Sequence, residues 1–238
     1  TIGRVSTAEI NWCFPLGPLR SGPYGIWLMR ETRNLLQELG PHLFAFMQDL
    51  FGDVEILHLQ TSNEIALPGG GTRPQGWRIL ARAGKVDVTL NLALVETYDD
   101  RSVVVRGSSS MARLDYANDT LVVFGVNTSD LVLNPLRSAL GQSFWYLREG
   151  LVNAVRQLTS LNQKSPYSLS FRGMCNEVYA ALADGRPVDA RFSGASAVKV
   201  MRAIDDTLAL LPPTPSLAEP RGKPKPTVLV IGGTGFIG

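Results

Sequence analysis

Residues 54–126 contain several short runs in which apolar and polar positions alternate. In "KVDVTLNLALVE" the apolar residues from Val86 to Leu94 alternate with polar residues that include Thr89 and Asn91. This period of two is the pattern of a β-strand with one buried face. We therefore expect Thr89 and Asn91 on the face of the sheet that is turned away from the core.

Neighbouring runs extend this prediction to a whole sheet. The preceding "GWRILARAGK" predicts a hairpin partner that turns near Gly84-Lys85. The runs "ILHLQTSNEIAL", "RSVVVRG", "MARLDYA" and "TLVVFGV" add further strands, and "TIGRVSTAEINWCF" adds one at the start of the chain. Short turns between consecutive strands indicate an antiparallel meander of six or seven strands.

Helical spacing occurs on both sides of this sheet region. "WLMRETRNLLQEL" (residues 27–39) predicts a helix that ends at Gly40-Pro41, and a second helix then begins, because proline suits the first helical position. The apolar stripe of this second helix includes Phe46 and Met47, and the helix ends at Gly52. "FWYLREGLVNAVRQLTSL" and "LSFRGMCNEVYAALADG" predict two later helices.

The last predicted helix is "SGASAVKVMRAIDDTLALL", with Ser193 or Ser196 as its cap. Its expected apolar side carries Val198, Met201, Ile204 and Leu208. Strands followed by helices predict an α+β fold, with a mostly antiparallel open sheet and helices on one face. We expect a second copy of the chain to cover the other face.

The remainder of the chain has a different composition. Six of the fifteen residues in 212–226 are proline, which predicts an extended linker. Residues 227–238, "TVLVIGGTGFIG", combine an apolar strand with Gly232, Gly235 and Gly238, which would let the backbone approach a pyrophosphate. This stretch resembles the start of an extended short-chain dehydrogenase/reductase, the NAD-dependent epimerase/dehydratase family. The resemblance implies a truncated Rossmann strand and glycine turn that would bind NAD or NADP.

Charge and rare residue types exclude several classes of function. The chain of 238 residues has a net charge of +2 without a concentrated basic footprint, so no nucleic-acid partner is expected. Two distant cysteines, Cys13 and Cys175, indicate reduced thiols in a cytoplasmic protein. With two histidines we expect no metal site. No apolar run approaches the ~20 residues of a membrane helix.

Residues 1–211 resemble the C-terminal domain of the Gfo/Idh/MocA oxidoreductases. The resemblance rests on the order of elements: a strand opening "IGRV", a helix with "ELGPHLFAFMQDLFGDVEIL", the meander, and the final "GASAVKVMRAIDDTLAL". It implies a domain for substrate binding and oligomerisation. The family's nicotinamide-binding Rossmann domain, with its catalytic lysine, would precede this chain.

The family's helix motif, Asp-x-Gly-x-His-x-x-Asp, is matched by Glu38, Gly40 and His42, whereas Ala45 replaces the last acid. A histidine can take the hydroxyl proton while hydride leaves for nicotinamide. In a first helical turn, the positive end of the helix dipole would keep the imidazole of His42 neutral. His42 and Glu38 are therefore the candidate catalytic pair. The alternative is that His42 only begins its helix.

Other candidates have weaker support. Tyr24, Trp27 and Arg30 follow a Gly/Pro-rich loop and could line a sugar pocket. His58 alternates within a strand and is expected on its surface. The aromatic cluster of Phe144, Trp145 and Tyr146 predicts core or interface packing.

The resulting hypothesis is a fragment of an NAD(P)-dependent oxidoreductase that acts on a sugar or sugar-like hydroxyl, fused to an epimerase/dehydratase domain. It predicts a homo-oligomer formed through the sheet face, and a chain that is inactive in isolation. The alternative is an accessory, non-catalytic assembly domain of a sugar-nucleotide epimerase/dehydratase.

Overall fold

The computed structural model describes residues 2–14, 31–66, 72–94, 98–125, 133–161 and 163–212. The strands are β1 (Val5–Cys13), β2 (Val54–Ala66), β3 (Thr72–Ala83), β4 (Val86–Ala93), β5 (Asp100–Gly107), β6 (Met111–Asp115) and β7 (Thr120–Phe124). The helices are α1 (Asn34–Phe51), α2 (Asn134–Ser160), α3 (Pro166–Ala183) and α4 (Gly194–Ala209), and a 3₁₀ turn spans Ala190–Phe192. The α+β fold class is confirmed.

The seven strands form one open sheet in the order β2-β3-β4-β1-β5-β6-β7. Strand β1 lies between β4 and β5, parallel to β4 and antiparallel to β5. The prediction of an uninterrupted antiparallel meander is therefore wrong between β4 and β5, where β1 is inserted. Parallel neighbours need a long crossover, and here α1, β2 and β3 supply it. Such a crossover leaves no local trace in the pattern of a single strand.

The apolar face of the sheet carries the core. Val88, Leu90 and Leu92 of β4 are buried, while Thr89 and Asn91 between them are partly exposed on the opposite face. The period-two prediction for this strand and its hairpin turn at Gly84-Lys85 is confirmed. Helices α1 and α4 pack on the apolar face, as their buried side chains join the same cluster as the strand residues.

Helix α1 runs without a break through Pro41, so the predicted boundary at Gly40-Pro41 is wrong. An internal proline removes one helical hydrogen bond and costs about 3 kcal/mol. The turns on both sides of it bury large apolar side chains in the same core: Leu35, Leu36, Leu43, Phe44 and Met47. Each such side chain contributes roughly 1.5–3 kcal/mol, which more than offsets the cost of continuing the helix.

Helix α1 packs closely on α4 where Gly40 meets Ile204. A Cβ at Gly40 would lie 3.2 Å from the Ile204 side chain, so glycine permits this approach. Gln48 also donates a hydrogen bond to Ser196 Oγ at 3.0 Å. At the start of α4, Ser193 Oγ accepts from the Ser196 backbone N–H, which confirms Ser193 as the cap.

The buried face of α4 differs from the predicted one. Val200, Ala203, Ile204 and Thr207 are buried. Val198 and Met201 are exposed, so their predicted place on the apolar side is wrong. The predicted row and the buried row both fit a helical period of 3.6. The angle at which α4 packs on α1 decides which of the two rows is covered.

Helices α2 and α3 bury almost nothing. No residue of α2 is buried, and α3 buries only Ala181. Helix α2 is held at the turn between β6 and β7, where Arg156 pairs with Asp119 and Asn153 donates to the Asn118 carbonyl at 3.0 Å. Phe144, Trp145 and Tyr146 are exposed, so the expectation of core packing for them is wrong, and the interface alternative remains.

We expect Ile204→Ala to lower the free energy of unfolding by about 2–5 kcal/mol, because it leaves a cavity in the fully buried contact between α1 and α4. Val198→Ala on the same helix should change it by less than about 0.5 kcal/mol, because Val198 is exposed. Urea unfolding followed by circular dichroism measures both. Equal effects would show that α4 docks through another face.

Candidate functional site

A groove of ≈ 1130 Å³ lies on the outer side of α1, away from the sheet. Helix α1 forms one wall, α3 forms the opposite wall, and the 3₁₀ turn with the first turns of α4 closes the floor. Helix α1 thus meets three consecutive elements from a distant part of the sequence at one concave surface. Clefts of this size and mixed character are common ligand sites.

His42 lines this groove with an exposed side chain. Glu38 lies one helical turn earlier and is partly exposed, so the two side chains share a face of α1. Within the described ranges neither side chain makes a hydrogen bond or an ion pair. Because α1 is continuous, His42 lies in mid-helix and not in a first turn. The expected effect of the helix dipole on His42 is therefore wrong, since it acts only within the terminal turns.

The position that lacks the motif's second acid also lies in the groove. Ala45 presents its methyl group there, next to Phe46 of the same helix. Across the groove, Met174 and Phe192 add further apolar surface. This part of the site can hold the apolar face of a ligand, and it offers no carboxylate at position 45 to orient His42.

Charged side chains close the floor of the groove in compensating pairs. Arg191 of the 3₁₀ turn contacts Asp189 at 2.7 Å and reaches Asp49 of α1 at 3.7 Å. Lys199 of α4 pairs with Asp53 at 2.7 Å, just beyond the end of α1. These pairs hold the 3₁₀ turn and α4 against α1. They also leave the groove with little net charge.

The pair of Arg191 and Asp189 perturbs the ionisation of both members. Hydrogen bonds from the Arg191 side chain, followed by its backbone N–H, lower the pKa of Asp189 to about 2. The Asp189 carboxylate in turn raises the pKa of Arg191 above its usual value. On the α3 wall, the hydrogen bond from Arg186 lowers the pKa of Glu177. These acids are therefore held as carboxylates and are unsuited to donate a proton.

The groove residues outside α1 were not recognised from the sequence. Arg191, Lys199 and Met174 come from three separate elements. Each looks like an ordinary helix or turn residue in its own segment. Only the packing of those elements brings them together with His42.

Several predicted residues lie away from the groove or outside the described chain. His58 is exposed on β2, which confirms it as a strand surface residue. Tyr24, Trp27 and Arg30, and the glycines Gly232, Gly235 and Gly238, lie outside the described residues. So do residues 213–226 of the predicted linker and residues 227–238 of the predicted Rossmann start.

The described ranges lack two kinds of feature. No cluster of three or more His, Cys, Asp or Glu side chains there is arranged to hold a metal ion. None of the helices in that part of the chain combines the length and the apolar character needed to cross a membrane.

Solved structures match this fold, although their sequences are very different. UDP-N-acetylglucosamine 3-dehydrogenase GnnA from Acidithiobacillus ferrooxidans is 13% identical, with a TM-score of 0.53. An oxidoreductase from Agrobacterium radiobacter, solved in complex with NAD+, L-tartaric acid and magnesium, is 13% identical with a TM-score of 0.56. Dehydrogenase MviM from Clostridium difficile is 11% identical with a TM-score of 0.54. The chain shares their fold.

These neighbours are oxidoreductases of the Gfo/Idh/MocA type. Each alignment covers 88% of this chain and 55% of the neighbour, so the chain spans about half the length of the structures it matches. No protein-family model matches the chain, and no curated protein matches its sequence.

Removing the Arg191 side chain should raise the pKa of Asp189 part of the way from about 2 towards its usual value near ~3.9. Because the pKa is lowered in the folded state, this pair stabilises the fold above about pH 4, and its contribution is lost as pH falls towards 2. NMR titration of the carboxyl carbons in Arg191→Gln tests this. Arg186→Gln, which removes the partner of Glu177, is the control and should leave Asp189 near its original pKa.

Proposed function

We propose that residues 1–211 form the substrate-binding and assembly domain of an NAD(P)-dependent oxidoreductase that acts on a sugar or sugar-like hydroxyl. The observation that carries the proposal is the seven-stranded fold shared with three dehydrogenases or oxidoreductases, one of them solved with NAD+. The groove beside His42 supports it, because its apolar wall and polar floor suit a sugar-sized ligand.

His42 is the proposed proton acceptor. Its imidazole is exposed to the groove, where a bound hydroxyl could donate to it. Histidine commonly serves as a general base, because a ring nitrogen can accept a proton. Glu38, on the same face of α1, would position the site without accepting the proton itself.

The described residues do not fit a dinucleotide. A pyrophosphate is held by a glycine turn that leads from a parallel strand directly into a helix, and the described ranges contain no such unit. NAD or NADP would supply the redox chemistry of the proposed oxidoreductase. In this proposal the cofactor is held by a Rossmann domain outside the described ranges. Gly232, Gly235 and Gly238 also lie outside these ranges, and we propose that they belong to a second, epimerase/dehydratase domain.

One observation favours the alternative of a non-catalytic assembly domain. Catalytic histidines are usually oriented by a second group, whereas His42 has no hydrogen-bond partner within the described chain, and Ala45 replaces a motif acid. In that alternative the domain would only assemble or position a sugar-nucleotide epimerase/dehydratase.

Substitution of His42 in the full-length protein separates these proposals. His42→Ala should lower turnover by roughly 10²–10⁴-fold, the share that general-base catalysis supplies. Dinucleotide affinity, measured by calorimetry, should stay nearly unchanged. Glu38→Gln should have a smaller effect of the same kind.

The matched control is His58→Ala, which removes an exposed histidine from β2 and should leave turnover intact. Normal turnover in His42→Ala would favour the assembly role. Melting temperatures should accompany all three variants, so that a loss of fold is not read as a loss of catalysis.

We also propose that the open sheet face forms a contact between copies. A polar row crosses this face, in which Asn91 donates to Asn11 Oδ1 at 2.8 Å and Arg78 donates to Asn91 Oδ1 at 3.1 Å. Leu80 is exposed beside this row. Such a mixed surface, with its polar groups paired, suits a subunit interface.

A charge placed on this face should weaken that contact. We expect Leu80→Glu to raise the dissociation constant at least about tenfold, because the carboxylate would be desolvated on association. Leu50→Glu replaces a similarly exposed leucine on α1 and should leave association unchanged. Light scattering over a wide concentration range measures both variants. Monomers alone in the unmodified protein would contradict the proposal.

A further inference from the structure

The outer surface of α2 carries a continuous row of apolar side chains. We define the outer stripe of α2 as Leu136, Leu140, Phe144, Leu147, Leu151 and Val155. All six side chains are between 59% and 64% exposed. Their similar exposure means that the row is uncovered along its whole length, and not merely at one end.

The outer stripe faces away from the sheet. Asn153 and Arg156 contact the turn between β6 and β7. At about 100° per residue, these two residues lie about 150° around the helix from the centre of the stripe. Because α2 is already held by its polar side, the stripe is free to contact another molecule.

The size of the stripe matches what association requires. Burying one such side chain contributes about 1.5–3 kcal/mol, at roughly 25 cal/mol per Å². The six side chains and the residues that flank them therefore offer several hundred Å² of surface for burial. This area is close to the ~800 Å² that each partner contributes to a standard interface. Contiguous apolar patches of this extent on a protein surface mark interaction sites.

The spacing of the stripe identifies its partner. Successive members are separated by 4, 4, 3, 4 and 4 residues, a series that reads the same in both directions. We propose that α2 pairs antiparallel with α2 of a second copy of the chain, around a two-fold axis between Phe144 and Leu147. A self-complementary surface of this kind is what an isologous dimer needs.

This axis sets Leu140 opposite the second copy's Leu151, Phe144 opposite Leu147, and Leu136 opposite Val155. Apolar side chains therefore meet at every level of the contact. A parallel pair would instead set each residue opposite itself, and the symmetry of the spacing would then serve no purpose.

The edges of the stripe are compatible with this pairing. On one side lie the small residues Ala139, Ser143 and Gly150, which allow two helices to approach to about 8–10 Å. On the other side, Arg148 is neutralised by Glu149 at 2.5 Å and lies over the ring of Trp145. Arg148 therefore adds little repulsion between the paired helices. The proposal is independent of the proposed function and of the sheet face.

The first experiment measures the dissociation constant of the full chain by sedimentation equilibrium. The double variant Leu140→Gln with Leu151→Gln should raise it at least about 100-fold, because four leucines leave each dimer. Glutamine has a helix propensity similar to that of leucine, so α2 should keep its structure, which circular dichroism checks. The control is Leu182→Gln with Val198→Gln, which changes two exposed apolar residues on α3 and α4 and should leave the constant unchanged.

The second experiment tests the direction of pairing by disulfide formation, in a background with Cys13→Ser and Cys175→Ser. Leu140→Cys combined with Leu151→Cys should give a covalent dimer, while either substitution alone should not. The two positions within one helix are about 16 Å apart, too far for an internal bridge. Monomeric unmodified protein at about 100 µM, an unchanged constant in the glutamine variant, or dimers from a single cysteine would each overturn the proposal.

Discussion

The sheet depends on the insertion of β1 at its centre. Strands β2–β4 form one antiparallel unit and β5–β7 form another, and in the described structure the two units are joined through β1. Its backbone pairs with both β4 and β5, and Ile10 continues the buried row between Leu90 and Val103. On the other face Asn11 bridges Asn91 and Ser102 by hydrogen bonds. One strand thus unites both the core and the polar surface of the sheet.

The crossover that β1 requires also positions the candidate site. The chain leaves β1, reaches α1, and returns through β2 and β3 to the strand beside β1. Helix α1 is thereby fixed on the apolar face, and its outer side carries Glu38 and His42. Helix α4 locks this position through the contact of Gly40 with Ile204. The groove beside His42 follows from these two packing events.

The four helices are stabilised differently. Helices α1 and α4 bury one full face, whereas α2 and α3 leave most of their apolar side chains in solvent. Exposed apolar surface on this scale is costly in an isolated subunit. Helices α2 and α3 are therefore the part of the molecule in which association has most to stabilise, and the sheet face offers a second, more polar surface.

The sequence by itself determined the local structure. The period of two in β4 predicted which residues face the core, and the helical spacing predicted α2, α3 and α4, because these patterns reflect contacts between near neighbours along the chain. The motif spacing also paired Glu38 with His42 as candidates. Only the tertiary structure decided that β1 lies between β4 and β5, that α1 continues through Pro41, and that Ile204 is buried while Val198 is not. It also decided that Arg191 and Met174 join His42 at the groove. These outcomes depend on which surfaces distant segments bury against one another, and no single segment contains that information.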